Sequence, residues 1–372
     1  MSSVLIAPLV IGILSSVLAA LIAVIDGIVN NYGEVNISIN KGRKNVKVKG
    51  GSPLLMTLSE EGIFIPSACG GRGSCGACKV KVLSDVGPVL PTEAPLLTDE
   101  EIKSNIRLSC QIKVKSDIEI EIPEELFSAR QFKTTVESIK NVTHDIKEVR
   151  FRLENPKEVE FKAGQYAQLV VPPYGKIKDI TQRAYSISSA PSQKNYLEFL
   201  IRLVPGGIAT TYVHQNLKEG QKFDLVGPFG EFYKRPTKAD MICVAGGSGM
   251  APLKSIIYDM YENNETDRNV WYFFGARSLK DIYYLDEFKK LEEKWPNLHF
   301  VPALSEPSEE DNWKGETGLI TDVLNKYLKE RIKSPNGREG YLCGSPGMIN
   351  ACINVMTSNE ISEDKIYYDK FA

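Results

Sequence analysis

Cys69-Gly70-Gly71-Arg72-Gly73-Ser74-Cys75-Gly76-Ala77-Cys78 spaces three cysteines as C-x5-C-x2-C, and Cys110 follows in Arg107-Leu108-Ser109-Cys110-Gln111. Four thiolates are the ligand set of a two-iron 2Fe-2S cluster. The interleaved glycines fit that reading, because a loop that wraps a cluster needs positive φ and backbone N–H groups aimed at sulfur. Four thiolates also suit a structural zinc. Zinc ribbons usually pair two C-x2-C knuckles, however, and only Cys75 and Cys78 form one here. The glycine density and the distant fourth cysteine favour the cluster.

Outward from the loop, VNISIN (Val35–Asn40), NVKVKG (Asn45–Gly50), KVKVL (Lys79–Leu83) and SDIEIEIP (Ser116–Pro123) alternate with the period of strands, Lys41-Gly42-Arg43-Lys44 serving as a hairpin turn. They predict a small β-rich domain over residues 33–125. A second strand-rich block covers 131–235, with VRFRLEN, QYAQLVVPP, YLEFLIRLV and KFDLVGP as its strands. Over 236–372 strands and helices alternate: MICVAGG, a helix through Ile256–Tyr261, VWYFFGA, then DEFKKLEEKW. That order predicts a doubly wound parallel sheet. Within it Gly246-Gly247-Ser248-Gly249-Met250-Ala251-Pro252 follows a buried strand and opens a helix, the context in which a glycine turn receives phosphate.

Ser2 to Ile25 contains no charged residue. At ~1.5 Å per residue that stretch reaches about 36 Å, enough for a hydrocarbon core of ~30 Å. It predicts a transmembrane anchor over residues 1–29, retained rather than cleaved, since a signal peptide would carry a positive N-terminal region. Lys41, Arg43, Lys44, Lys47 and Lys49 all follow it, which by the positive-inside rule predicts a single-pass protein of the cell membrane with its soluble domains in the cytoplasm. In that reducing compartment grouped cysteines read as metal ligands rather than disulfides. The 372 residues predict two to three domains. A net charge of −2 argues against nucleic acid as a partner, and three scattered histidines argue against a histidine metal centre or a Ser-His-Asp triad.

Arg183-Ala184-Tyr185-Ser186, followed by Gly206-Gly207-Ile208-Ala209-Thr210-Thr211 and Gly227-Pro228-Phe229-Gly230, resembles the R-x-Y-S signature and later motifs of the ferredoxin–NADP reductase superfamily. That resemblance implies FAD on an antiparallel β-barrel. Arg183 would pair with the pyrophosphate, Tyr185 would face the isoalloxazine, Ala184 would lie in the same strand, and Ser186 would bond near the reactive ring nitrogen. Gly207, Thr210 and Thr211 would serve the pyrophosphate. Gly246, Gly247, Gly249, Met250 and Pro252 match the superfamily's G-G-x-G-x-x-P, and Gly275-Ala276-Arg277-Ser278 ends the next strand, where the adenosine ribose should sit. Arg277 invites a 2′-phosphate and hence NADPH. NADH is preferred, because G-A-R-S also occurs in NADH-linked relatives. Cys343-Gly344-Ser345-Pro346-Gly347-Met348 resembles the C-G-x-x-x-M beside the nicotinamide, making Cys343 a candidate active-site thiol, while Cys243 and Cys352 are assigned to the core. Phe371 is the candidate aromatic residue that covers the flavin and yields to nicotinamide.

The order of anchor, ferredoxin, flavin and nicotinamide blocks, with C-x5-C-x2-C, resembles the family formed by the F subunits of sodium-translocating NADH:quinone oxidoreductases, over essentially the whole chain. The family implies a transmembrane helix, a β-grasp ferredoxin domain holding the cluster on Cys69, Cys75, Cys78 and Cys110, an antiparallel FAD barrel and a doubly wound NADH domain. It further implies a hydride passed from NADH to FAD, single electrons passed on to the 2Fe-2S cluster, and partners that are the other subunits of a membrane complex which reduce ubiquinone and move sodium. Two departures stand out. The segment between Tyr174 and Arg183 is short where that family carries a long insertion, and Lys370-Phe371-Ala372 stands where it has D-F-G-G. The alternative is a tethered NADH-dependent reductase that supplies an oxygenase or another soluble acceptor.

Overall fold

A computed structural model describes residues 10–22, 32–67, 69–334 and 336–370. The chain divides into two compact units, Met1–Ser128 and Ala129–Ala372.

In the first unit, alternation builds a mixed sheet. β1 (Glu34–Ile39) and β2 (Lys44–Lys49) form an antiparallel hairpin, followed by β3 (Lys79–Val82), β4 (Ile106–Leu108) and β5 (Ile118–Glu121) in the order β2-β1-β5-β3-β4, with β1 and β5 parallel. Val35, Ile37 and Ile39 turn inward from β1, and the helix Leu54–Glu60 adds Leu54, Leu55 and Leu58 to the same core. The hairpin turn comes one residue earlier than the alternation predicts. Asn40 and Lys41 take positive φ, and the Asn40 amide is held by both the N–H and the carbonyl of Ile122, which takes it out of the strand. β4 has no counterpart in the sequence pattern.

Arg107 and Glu93 form a buried ion pair in this unit. Arg107 Nε and Nη2 lie 3.0 and 2.6 Å from the carboxylate oxygens, which also accept the N–H groups of Leu90 and Leu108. The remaining guanidinium donors go to the carbonyls of Gly87 and Pro88. Every group is answered, so the pair fixes the loop that runs into β4.

The second unit holds two sheets. β6 (Arg130–Asn141), β7 (Ile146–Asn155), β8 (Tyr166–Val171), β9 (Thr181–Ser186), β10 (Tyr196–Arg202) and β11 (Lys222–Phe229) run antiparallel in the order β10-β7-β6-β11-β8-β9. A bridge between Ile187 and Phe199 joins the two edges and closes a barrel around Phe151, Phe199, Phe223 and Leu169. β12 (Asp240–Gly246), β13 (Val270–Ala276), β14 (Leu298–Leu304), β15 (Glu316–Thr317), β16 (Arg338–Gly344) and β17 (Ile366–Lys370) are all parallel in the order β15-β14-β13-β12-β16-β17. The helices Met250–Glu262 and Leu285–Lys294 share one core with this sheet, and Ile320–Glu330 and Pro346–Ser358 share another. The strand order reverses between β12 and β16, and open α/β sheets take their ligands at the carboxyl ends of the strands beside such a reversal.

Barrel and parallel sheet are joined by buried polar contacts. Glu198 accepts from Lys254 Nζ at 2.7 Å, Arg150 Nη2 at 3.1 Å and the Ser188 hydroxyl at 2.9 Å, and Ser255 Oγ donates to the Ser189 carbonyl at 2.7 Å.

The expected transmembrane anchor is not supported among the described residues. Residues 10–22 are helical, and among the described residues no helix is long and apolar enough to cross a membrane. The rest of the expected anchor, 1–9 and 23–29, lies outside the described residues.

Burial alone would push the Glu93 carboxyl up, but Arg107 and the two N–H groups hold it below the usual carboxylate range. The stabilisation is therefore complete above that range and disappears as pH falls through the lowered value. Replacing Arg107 with Leu strands a buried charge and should cost about 3–5 kcal/mol. The check is chemical unfolding followed through the cluster unit at neutral pH. A loss under about 1 kcal/mol, the size of an ordinary surface change, would contradict the role given to the pair.

Candidate functional site

The cysteine loop has no regular secondary structure, and Gly70, Gly71, Gly73 and Gly76 all take positive φ. Gly73 is the most constrained: a Cβ there would lie 2.6 Å from Gln111 Nε2. This conformation aims N–H groups at sulfur. Burial opposes ionisation of Cys69, but the backbone of Ser74 and Arg72 and the side chains of Ser74 and Cys75 bring its thiol down to about 6. Cys78 and Gln111 side chains and the Gly73 N–H bring Cys110 to about 7. Gln111 Nε2 lies 3.6 Å from Cys110 Sγ, its amide oxygen held at 2.9 Å by the Thr92 hydroxyl.

Cys69 and Cys75 influence each other's ionisation, as do Cys78 and Cys110. Among the described residues no three His, Cys, Asp or Glu side chains gather to hold one metal ion. Four thiols, with N–H groups aimed at two of them, are a donor set that a 2Fe-2S cluster accepts.

In the second unit, Arg183, Ala184, Tyr185 and Ser186 lie on β9, and Ser186 is buried opposite Tyr166 of β8. Burial raises the Tyr185 phenol well above its ordinary range, so it stays neutral. Gly207 caps the helix Ile208–Gln215. Thr210 is buried, and its hydroxyl serves Val204 in the preceding turn, whereas Thr211 lines an open cavity of about 630 Å³ with Arg202, Gly206 and Asp145. Arg202, which no sequence motif marks, lies beside the glycine turn, since a Cβ on Gly247 would meet its Nη1 at 3.4 Å. Its one signal in the sequence is a cation ending a strand just before Pro-Gly-Gly.

Gly246, Gly247 and Gly249 form the turn between β12 and the helix Met250–Glu262. A Cβ on Gly249 would stand 2.2 Å from the Cys343 carbonyl oxygen, so only glycine lets the turn approach the end of β16. Met250 and Pro252 are buried in the core beneath. Cys343 is fully buried, and burial together with the nearby Asp369 holds its thiol well above the ordinary range. Cys243 and Cys352 are also fully buried. Arg277 ends exposed just beyond β13 and is paired with Glu306. Phe371 lies outside the described residues.

Cys343 and Asp369 face each other across the parallel pair β16–β17, and Asp369 Oδ2 accepts the Ser186 hydroxyl at 3.2 Å. Ser186 and Cys343, 157 positions apart in the sequence, are thus brought to one point through a third residue. No motif marks Asp369. Its one signal is a lone acid in the aromatic run Tyr367-Tyr368-Asp369. Burial raises its carboxyl, which the Ser186 bond only partly offsets.

Three family models match in order: the 2Fe-2S iron-sulfur cluster binding domain over residues 37–115, the oxidoreductase FAD-binding domain over 133–233 and the oxidoreductase NAD-binding domain over 243–353. The F subunit of the Na(+)-translocating NADH-quinone reductase of Pseudomonas aeruginosa is 36% identical, covering 98% of this chain and 98% of that protein. The chain belongs to the family of these F subunits. The counterpart in Idiomarina loihiensis is 38% identical over 91% of this chain and 92% of that protein. Among solved structures, this member of the family is similar to the cytochrome P450 reductase of Amycolatopsis (29% identity, TM-score 0.72, 91% of this chain and 98% of that one). It is also similar to the ferredoxin reductase in carbazole 1,9a-dioxygenase (26%, TM-score 0.67, 91% and 99%). The chain is an oxidoreductase with FAD- and NAD-binding domains and a 2Fe-2S domain.

Two outcomes follow from these geometries. Cys75→Ser should abolish the cluster's electron paramagnetic resonance while NADH still bleaches the flavin, and loss of both would contradict separate sites. Asp369→Asn should slow flavin bleaching by NADH roughly tenfold or more, because the carboxylate that accepts and so orients the Ser186 hydroxyl is lost and misplacing a positioning group costs up to about a hundredfold. Because the Asp369 carboxyl is raised, the wild-type rate should fall in acid from a pH above the ordinary carboxylate range, and the variant should lack that limb. Identical profiles would remove Asp369 from the chemistry.

Proposed function

We propose that this chain is the NADH-oxidising, electron-input component of a membrane complex that reduces quinone and moves sodium. The observation that carries the proposal is the match to the Pseudomonas F subunit along 98% of both chains. Bound FAD would accept a hydride from NADH and release electrons singly toward the cluster. The chain's part is positional. Arg183 and the end of the helix Ile208–Gln215 hold the flavin's phosphates, and Tyr185 faces its ring. Gly246, Gly247 and Gly249 seat the dinucleotide's pyrophosphate at a helix start. Met250 and Pro252 brace that turn from below, and Arg277 stands at the adenosine ribose. Ser186 and Asp369 hold a proton beside the reacting centre, Cys343 packs under it, and Phe371 covers the flavin until nicotinamide arrives. Cys69, Cys75, Cys78 and Cys110 would ligate the 2Fe-2S cluster.

The apolar segment anchors the chain in the cell membrane as a single pass, with the soluble units in the cytoplasm. Supporting this, Ile11, Leu14, Leu18 and Ile22 are all more than half exposed on the helical residues 10–22. Such a surface needs lipid or protein around it. The partners are then the other subunits of the complex, through which quinone is reached.

A second reading, a tethered reductase feeding an oxygenase, is supported by the similarity to reductases of a cytochrome P450 and of a dioxygenase. The short segment between Tyr174 and Arg183 also supports it, since a missing insertion changes the docking surface. Purification in mild detergent followed by mass spectrometry of bound proteins separates the two. Integral-membrane redox subunits and sodium-dependent NADH:quinone turnover are the expected result. Recovery with a soluble oxygenase component would overturn the pump assignment.

A further inference from the structure

The end of β13 poses a contradiction. In dinucleotide-binding sheets an acid at this point bonds the adenosine ribose 2′-hydroxyl, whereas an arginine accommodates a 2′-phosphate. Here the residue is Arg277, which on its own would select the phosphorylated dinucleotide.

The neighbouring strand changes that. Glu306, just beyond β14, places both carboxylate oxygens 3.2 and 3.3 Å from Arg277 Nη2, and its own N–H donates to the Arg277 carbonyl at 2.7 Å. The parallel register of β13 and β14 runs to Ala276 opposite Leu304, and Ser305 N–H continues it to the Ala276 carbonyl. The two residues are therefore held together by the sheet rather than only by their charges.

Ser278, the next donor along, is also engaged. Its N–H and its hydroxyl both go to Asp281 Oδ2, at 3.0 and 2.7 Å. A 2′-phosphate arriving here would need those donors and would meet two carboxylates. Counting the exposed Lys280 of the same turn, two cations face two anions, so the ledge has no positive excess. A ribose 2′-hydroxyl makes the opposite demand, because it donates, and the Glu306 carboxylate accepts.

We propose that Glu306 is the residue that selects NADH over NADPH, by occupying Arg277 and accepting the adenosine ribose 2′-hydroxyl. The inference rests on the reading that the dinucleotide lies along the carboxyl ends of β12 and β13. Arg277 then positions Glu306 instead of binding phosphate.

The test compares NADH and NADPH as reductants of the flavin in the full-length, cofactor-loaded protein, by kcat/KM. Wild type should prefer NADH. Glu306→Gln should raise kcat/KM for NADPH at least tenfold and lower it for NADH, with the NADH loss falling mainly on KM. Arg277→Ala, which leaves the carboxylate in place, should keep the preference for NADH. An unchanged preference in Glu306→Gln would overturn the inference, as would wild type accepting NADPH as readily as NADH. If wild-type flavin bleaches with neither nucleotide, the underlying dinucleotide reading fails and the inference falls with it.

Discussion

The Ser186–Asp369 hydrogen bond spans 183 positions of the chain and ties the barrel to the last strand of the parallel sheet. Much of the second unit is arranged around it. β17 must add in parallel to β16 for Asp369 to lie opposite Cys343, and the barrel must close at Ile187 and Phe199 for Ser186 to end its strand at that point. Gly249 must lack a side chain for the turn after β12 to reach the end of β16. The buried carboxylate of Glu198, held from both sides by Arg150 and Lys254, fixes the two sheets against each other. Removing one partner of such a pair leaves an uncompensated charge, so the contact specifies one arrangement of the sheets more than it adds stability.

The cysteine loop solves a related problem by other means. No strand or helix runs through it, and its shape comes from glycines in left-handed conformations. The same conformations turn N–H groups toward Cys69 and Cys110, favouring the ionised thiols that metal ligation requires. The rigid neighbour is the Glu93–Arg107 pair, three residues from Cys110, which holds the approach to β4.

Much of this is legible in the residues, and the exceptions have physical causes. Alternation locates β1, β2, β3 and β5, and buried apolar runs locate β12 and β13, because burial imposes those periods. β4 escapes because three residues, Ile106-Arg107-Leu108, are too few to display a period. The cysteines, Ser186 and the glycine turn are visible as motifs because the chemistry proposed for them needs fixed local spacings. Asp369, Arg202 and Glu306 are not, since each meets a residue far away in sequence: Ser186, the glycine turn and Arg277 respectively. Thr210 illustrates the reverse case. It belongs to a recognisable motif, but its hydroxyl braces the turn before the helix.

The central claim is that electrons enter through the flavin and leave through the cluster of the same chain. Anaerobic rapid mixing of the full-length protein with NADH tests it directly, with flavin absorbance and freeze-quenched paramagnetic resonance recorded on one time base. The flavin should bleach first and the reduced-cluster signal should follow in the same molecules. A cluster signal that precedes flavin bleaching, or a reduced flavin beside a cluster that stays oxidised throughout turnover, would contradict the relay.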